Sequence, residues 1–430
     1  MNRWPTLVAL TLFFGGLDSA QAQVVTLSAM RAKALQTRPA LAMQDARVAS
    51  AEAGVDEARA PARPKVAGRL EATASPGSEL VTVRDAEDGD TFIVAGSRAI
   101  DDGSDAFLPQ FRYAARVGVD WNIWDFGRTD AATRAARAEL KARQAEAAHT
   151  RQSLVAAVDE VYLEWLGAHE RASLEAETIR HLDTKLGSLK SKVEAGGLAP
   201  SALLSIQADL AAARLRQSYA DGAVSLARLA VSEAVGQPLQ DSASPDASLL
   251  ALGAPEKAKT TVDRTEEALA ARIEAARATA DLHDKRFLPQ LQASASAGLR
   301  GQFSTLFPFY SARLALELPF DDGGLGAAKA AAARANAKAL EKRREQHLNA
   351  QRQTQTRQQL HLQQARSRVE LAEALVKVTQ ARVVDAEQRF EESAASAGEL
   401  TQARAQQSQA AAQLLTAKLD RTRAALALSR

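Results

Sequence analysis

The chain is written twice. Val117-Gly118-Val119-Asp120-Trp121-Asn122-Ile123 returns as Leu314-Ala315-Leu316-Glu317-Leu318-Pro319-Phe320, so residue 117 maps onto residue 314, a displacement of 197. The same displacement carries Arg116 onto Arg313, Asp125 onto Asp322, Gly127 onto Gly324, Glu194 onto Glu391 and Leu203 onto Leu400. A register held over so long a stretch marks a duplicated unit, and any fold must accommodate two copies of one plan. Upstream the register changes: Arg63-Pro64 corresponds to Leu288-Pro289, so the first copy carries extra residues, roughly Gly77 to Leu108. That insertion is rich in Asp, Gly and Ser and reads as a long solvated loop.

Each copy has the same grammar. A moderate helix (about Leu27 to Arg59; about Val262 to Lys285) precedes a proline-bearing break, then two alternating segments, then a very long helix. The long helices are expected over 128–194 and 325–392; neither stretch contains proline. At 1.5 Å per residue each spans about 100 Å. A polar break follows, then a shorter return helix over 201–235 and 399–428. Helices of this length need partners along their whole extent. Apolar residues make up 46% but aromatics only 5%, and alanine supplies much of the difference, allowing close helix approach. Residues 23–235 form the first repeat, 236–261 a linker and 262–430 the second repeat.

The alternating segments, about 65–75, 111–123, 290–300 and 310–320, carry the period-two signature of strands. Phe111, Tyr113, Ala115, Val117, Val119, Trp121 and Ile123 share one face, against Arg112, Arg116, Asp120 and Asn122 on the other. Tyr310, Leu314, Leu316, Leu318 and Phe320 oppose Ser311, Arg313 and Glu317. Upstream, Val66, Gly68, Leu70 and Ala72 alternate with Lys65, Arg69, Glu71 and Thr73, and Leu291 to Leu299 alternates with Gln290, Gln292, Ser294, Ser296 and Arg300. Each run has about the 9–11 residues that a tilted strand needs to cross a bilayer. A sandwich with one wet face or a membrane barrel gives this pattern. Four strands cannot close a barrel, and open edges are not tolerated in hydrocarbon, so a membrane reading requires several copies, three of which give twelve strands. The lumen would then take Arg112, Arg116, Asp120, Arg313 and Glu317, and lipid would meet Val117, Val119, Trp121, Leu314, Leu316 and Leu318. A peripheral sheet with ordinary wet-face charges is the alternative.

The N-terminus sets the compartment. Arg3, the apolar run Thr6 to Leu17 and Ala20-Gln21-Ala22 read as a signal peptide over 1–22, with the mature chain starting at Gln23. A helical membrane anchor is the alternative. No later run reaches ~18 apolar residues. The chain has 54 basic and 52 acidic residues and no cysteine. That excludes bulk-charge nucleic-acid binding, disulfides and Cys-based metal sites. His149, His169, His181, His283, His347 and His361 lie far apart and read as solvated, and no phosphate-cradling glycine motif occurs. The expectation is no catalytic residue, no cofactor and no metal: not an enzyme. The fold class is mainly α with a small β part, built as two tandem repeats of strand-strand plus long helices.

With the signal, the duplication and two strands per copy in hand, Trp124-Asp125-Phe126-Gly127-Arg128 and Phe320-Asp321-Asp322-Gly323-Gly324, opening the two long helices, complete a pattern. The chain resembles the TolC family of outer-membrane efflux proteins over nearly its whole mature length. The resemblance implies a homotrimer: a twelve-stranded outer-membrane β-barrel continued by a periplasmic α-helical tunnel, embedded in outer-membrane lipid, with residues 236–261 in an equatorial belt. It implies as partners a periplasmic adaptor and an inner-membrane pump, proton- or ATP-driven. The adaptor-docking turn would be Gly196, Gly197 and Leu198; the second copy has Ala394-Ala395 instead. The tunnel mouth would fall at Glu399 and Gln402, a ring of carboxylates favouring cations, though Glu399 also suits a helix N-terminal turn. The implied function is passive export, chiefly efflux of small toxic compounds. The alternatives are the channel of type I polypeptide secretion and a non-pore periplasmic coiled-coil protein.

Overall fold

The computed structural model describes residues 24–76, 80–84, 91–95, 109–195, 201–251, 263–302, 305–392 and 396–429. In chain order the elements are β1 (Val24–Val25), α1 (Leu27–Thr37), α2 (Pro39–Arg59), β2 (Lys65–Pro76), β3 (Leu80–Arg84), β4 (Thr91–Ala95), β5 (Pro109–Trp124), α3 (Arg128–Glu194), α4 (Ser201–Val235), β6 (Ser244–Pro245), α5 (Ser248–Ala251), α6 (Arg264–Asp284), β7 (Gln290–Gln302), β8 (Thr305–Glu317), α7 (Leu325–Glu391) and α8 (Ala397–Leu428). The fold is mainly helical with a small β part. It divides into two compact units. Residues 1–22, read from the sequence as a signal peptide, lie outside the described residues.

The first unit comprises Met1–Asp45, Glu146–Thr265 and Gln346–Arg430. Its core gathers Met30 and Ala34 of α1, Val158, Tyr162 and Trp165 of α3, and Val231 and Val235 of α4. Tyr162 and Trp165 meet edge to face at 5.8 Å. Tyr162 and Asp159, one turn apart on α3, tie other segments to the helix. The Tyr162 hydroxyl donates to the Val25 carbonyl at 2.8 Å and accepts from the Asp246 amide at 2.8 Å. It thereby holds the parallel pair β1–β6 on the helix. Burial raises its pKa above the ordinary 10.0. One turn earlier, Asp159 is wholly buried and both its oxygens accept from Arg31, at 2.6 and 2.8 Å.

One helix was expected over Leu27–Arg59; two form. Pro39 pushes Arg38 into extended backbone (φ −77°, ψ 119°) and ends α1. The break has a use: Thr37 and Arg38 donate side-chain hydrogen bonds to the Val235 and Ala234 carbonyls, which the end of α4 leaves without helical partners. Gly236 closes that helix at φ +80°. His347, expected to be solvated, is half-buried against Asp263 at 2.6 Å.

The second unit comprises Ala46–Ala145 and Glu266–Glu345. It holds a four-stranded antiparallel sheet in the order β2-β5-β7-β8. Its helical part packs through alanines: Ala131, Ala138, Ala142 and Ala145 of α3, spaced by helical turns, are buried, as are Ala268, Ala271, Ala276, Ala278 and Ala280 of α6 and Ala330 and Ala337 of α7. The insertion read as a loop contains two strands. β3 and β4 pair antiparallel from Leu80↔Ala95 to Arg84↔Thr91. The runs Leu-Val-Thr-Val and Thr-Phe-Ile-Val are rich in β-branched residues, a local signal outweighed in the sequence by the surrounding Asp and Gly.

Candidate functional site

The turn into each long helix is built alike. Asp125 Oδ2 accepts from the Thr129 amide at 2.8 Å, and its Oδ1 from Gly127 at 3.1 Å. In the second copy Asp322 Oδ2 accepts from the Gly326 amide at 2.7 Å, the equivalent donor under the 197 displacement. Both aspartates satisfy amides that a helix start leaves open and meet the positive end of its dipole. Both turns need two successive positive-φ residues: Phe126 (53°) and Gly127 (83°), then Gly323 (66°) and Gly324 (80°). The second copy uses two glycines; the first tolerates Phe126, whose ring lies 5.8 Å from that of Trp124. The shared motif is thus a capping device.

Among the described residues the sheet has two distinct faces and no covering layer. The register aligns Val66 with Val119, Val119 with Ala295, and Ala295 with Ala312. Leu70, Ala115, Leu299 and Pro308 make another apolar row. Leu70, Val117 and Leu314 are 87%, 58% and 67% exposed in the single chain. The opposite face carries the charges, with Phe307 and Phe309 of β8 among them. Lys65, Asp120, Ser294 and Arg313 form one row, and Arg69 and Arg116 stand opposite each other. Gln290 faces Glu317, whose carboxylate accepts from Gln292 at 3.3 Å. Every polar-face residue singled out from the sequence (Arg112, Arg116, Asp120, Arg313, Glu317) lies in this sheet on one side. Val117, Val119, Trp121, Leu314 and Leu316 lie on the other.

Leu318 does not belong with them. β8 ends at Glu317, because Pro319 lacks an amide to donate and restricts the residue before it. The strand instead begins earlier, at Thr305, with Pro308 accommodated because β8 is an edge. Trp121 is amphipathic in its setting: its indole Nε1 donates to the Ala62 carbonyl at 3.0 Å while the ring remains exposed. It sits where Trp124 and Phe126 are also exposed, at the β5 end of the sheet. Sequence reading counted charges on separate strands. Only the register brings Lys65, Arg69, Glu71 and Arg300 onto the same face as Arg116.

In the first unit, Glu399 lies in the first turn of α8, its amide donating to the capping Ser396 Oγ at 3.2 Å. Its carboxylate also pairs with Arg389 at 3.7 Å, a partner that sequence reading missed. Gln402 is exposed one turn on. Nearby Glu387 of α7 takes both Lys185 of α3 and Arg404 of α8, the latter at 2.8 Å. Burial holds the Arg404 guanidinium below its ordinary range. Gly196, Gly197 and Leu198 lie outside the described residues. Among the described residues no group of His, Asp and Glu is arranged to hold a metal ion, and no helix is long and apolar enough to cross a membrane.

The model of a family described as outer membrane efflux protein matches residues 30–237 and 267–430, most of the chain and both repeats. The chain belongs to the outer membrane efflux protein family. Its members are channel proteins, not enzymes, and this chain is an outer-membrane efflux channel protein. Solved structures share its fold at low identity. The outer membrane protein VceC from Vibrio cholerae matches with a TM-score of 0.72 and 18% identity, over 94% of this chain and 96% of that one. CusC, studied for folding and transmembrane channel formation, matches at 0.76 and 15%, over 94% and 90%. The open state of the MtrE outer membrane channel of Neisseria gonorrhoeae matches at 0.72 and 15%, over 94% and 88%. No curated protein sequence gives a significant match to this efflux protein.

Proposed function

We propose that three copies of the chain each donate β2, β5, β7 and β8 to one closed twelve-stranded barrel, with the apolar face to lipid and the polar face to water. The observation that carries this is the bare sheet: both faces are exposed in one chain, and β2 and β8 are left as edges. In hydrocarbon an unpaired edge costs several kcal/mol for each unsatisfied backbone group. An apolar face uncovered in water marks an interaction surface with protein or membrane. Closure with further copies in a membrane removes both defects. The exposed indoles of Trp121 and Trp124 suit a lipid–water boundary. Glu399 and Gln402 would line the periplasmic mouth, and the turn Gly196-Gly197-Leu198 would dock a periplasmic adaptor.

The channel is passive; an inner-membrane pump drives transport through it. The reading favoured is tripartite efflux of small toxic compounds, in line with the efflux description of the family. The test is crosslinking in the native cell from a photoreactive residue placed at Leu198, with mass spectrometry of the captured proteins. The expected result is an adaptor together with a proton-driven pump. Capture of an adaptor with an ATP-driven exporter would instead point to polypeptide secretion. No capture from a correctly exported protein would overturn the docking turn.

A further inference from the structure

We propose that the polar face of the sheet is an anion-selecting belt, so that negatively charged solutes are the ones favoured in passage. This rests on the reading that three copies close the sheet around water, and it adds the chemical class of the solute.

The strongest observation is a pairing that a sheet would ordinarily avoid. Arg69 and Arg116 are direct cross-strand partners on the same face. Like charges so placed weaken a ladder. Arg112 and Arg300 lie within two rows of them on that face. Glu71, paired with Ala114, stands diagonal to Arg112 and Arg116 and is the one acid in these rows. Among the described residues none of the four arginines enters an ion pair, and all four are exposed. Arg300 lies over the Phe309 ring, 5.4 Å from its centre, a contact that fixes a guanidinium without neutralising it. Opposite Arg116 on β7 is Gly298, which adds no side chain to crowd or shield it. Guanidinium groups stay charged at any accessible pH.

The balance of the whole face agrees. Lys65 and Arg313 join the four arginines, against Glu71, Asp120 and Glu317. Three charges of the six are thus unmatched per chain, more than the +2 of all 430 residues. The excess positive charge is local to this face and is tripled on closure. In a narrow aqueous bore with low-dielectric walls such a field concentrates anions.

The test is the reversal potential of the purified full chain in a planar lipid bilayer under a potassium chloride gradient. The expected sign is chloride over potassium. Replacing Arg69, Arg112, Arg116 and Arg300 together by Gln should abolish that preference; replacing all four by Lys should keep it. The single change Arg116→Gln should shift the potential part-way and guards against misfolding of the fourfold variant. The preference should also shrink as salt rises to 1 M, where the screening length falls to about 3 Å. A potential near zero or of potassium sign in the unaltered protein would overturn the proposal. So would a chloride preference that survives the Gln substitutions. A correctly assembled protein that passes no current would overturn the channel reading beneath it, and is recognised by the missing conductance.

Discussion

Gly298→Val is expected to abolish assembly of the protein in the outer membrane, while Gly68→Ala is expected to leave it intact. Gly298 of β7 stands opposite Arg116 of β5. A Cβ atom there would overlap the Ala115 carbonyl oxygen and lie 2.8 Å from Arg116 Cα. Both are backbone atoms, so no side-chain rotation relieves the conflict, and the ladder must open. Opening it in a bilayer exposes backbone groups at several kcal/mol each. A Cβ at Gly68 meets nothing within 4 Å, and one at Gly118 meets its nearest neighbours at an ordinary 3.6 Å. The measurement is the amount of oligomer in the outer-membrane fraction, read on unheated gels. Wild-type levels of Gly298→Val would mean that β5 and β7 are not this close in the assembled protein.

Arg31→Ala is expected to be the most destabilising change to a polar residue in the helical unit. Asp159 is 0% exposed and Arg31 33%. Removing the guanidinium takes two charge-assisted hydrogen bonds from a carboxylate held in the core, at a cost of about 3–5 kcal/mol. The reverse change, Asp159→Ala, leaves an arginine whose head already reaches water, and should cost less. Replacing both by apolar residues of similar volume should recover much of the loss, since a buried pair is often no better than good packing. Thermal unfolding of the detergent-solubilised protein checks the order of the three variants. Equal losses for both single changes would contradict the asymmetry of burial.

The parts of the fold that were legible in the sequence are those set by periodicity. Period-two alternation marked Val117, Val119 and Trp121 against Arg116 and Asp120, and the sheet keeps those sides. The four strands of the main sheet and the duplication were also legible, the latter because a displacement of 197 aligns Asp125 with Asp322 and both cap a long helix. What the sequence hid depends on long-range placement. Cross-strand register makes neighbours of Arg69 and Arg116, which are 47 positions apart in the numbering. Nothing local announces that Tyr162 would clasp Val25 and Asp246, or that Arg31 would reach Asp159. Two local signals were overridden by their surroundings: Pro39 splits a helix whose apolar pattern runs on through it, and Pro319 ends β8 before Leu318. The strands β3 and β4 were masked by the Asp- and Gly-rich residues that flank them.

The barrel reading is tested most directly by single-cysteine accessibility along β5. The chain contains no cysteine, so each introduced thiol is the sole one present. Outer membranes carrying Arg116→Cys, Val117→Cys, Gly118→Cys, Val119→Cys, Asp120→Cys or Trp121→Cys would be treated with a charged maleimide that does not partition into lipid. Labelling at 116, 118 and 120 with protection at 117, 119 and 121 is the expected result. Uniform labelling of all six, or labelling in the opposite phase, would contradict a sheet with water on its charged face and lipid on the other.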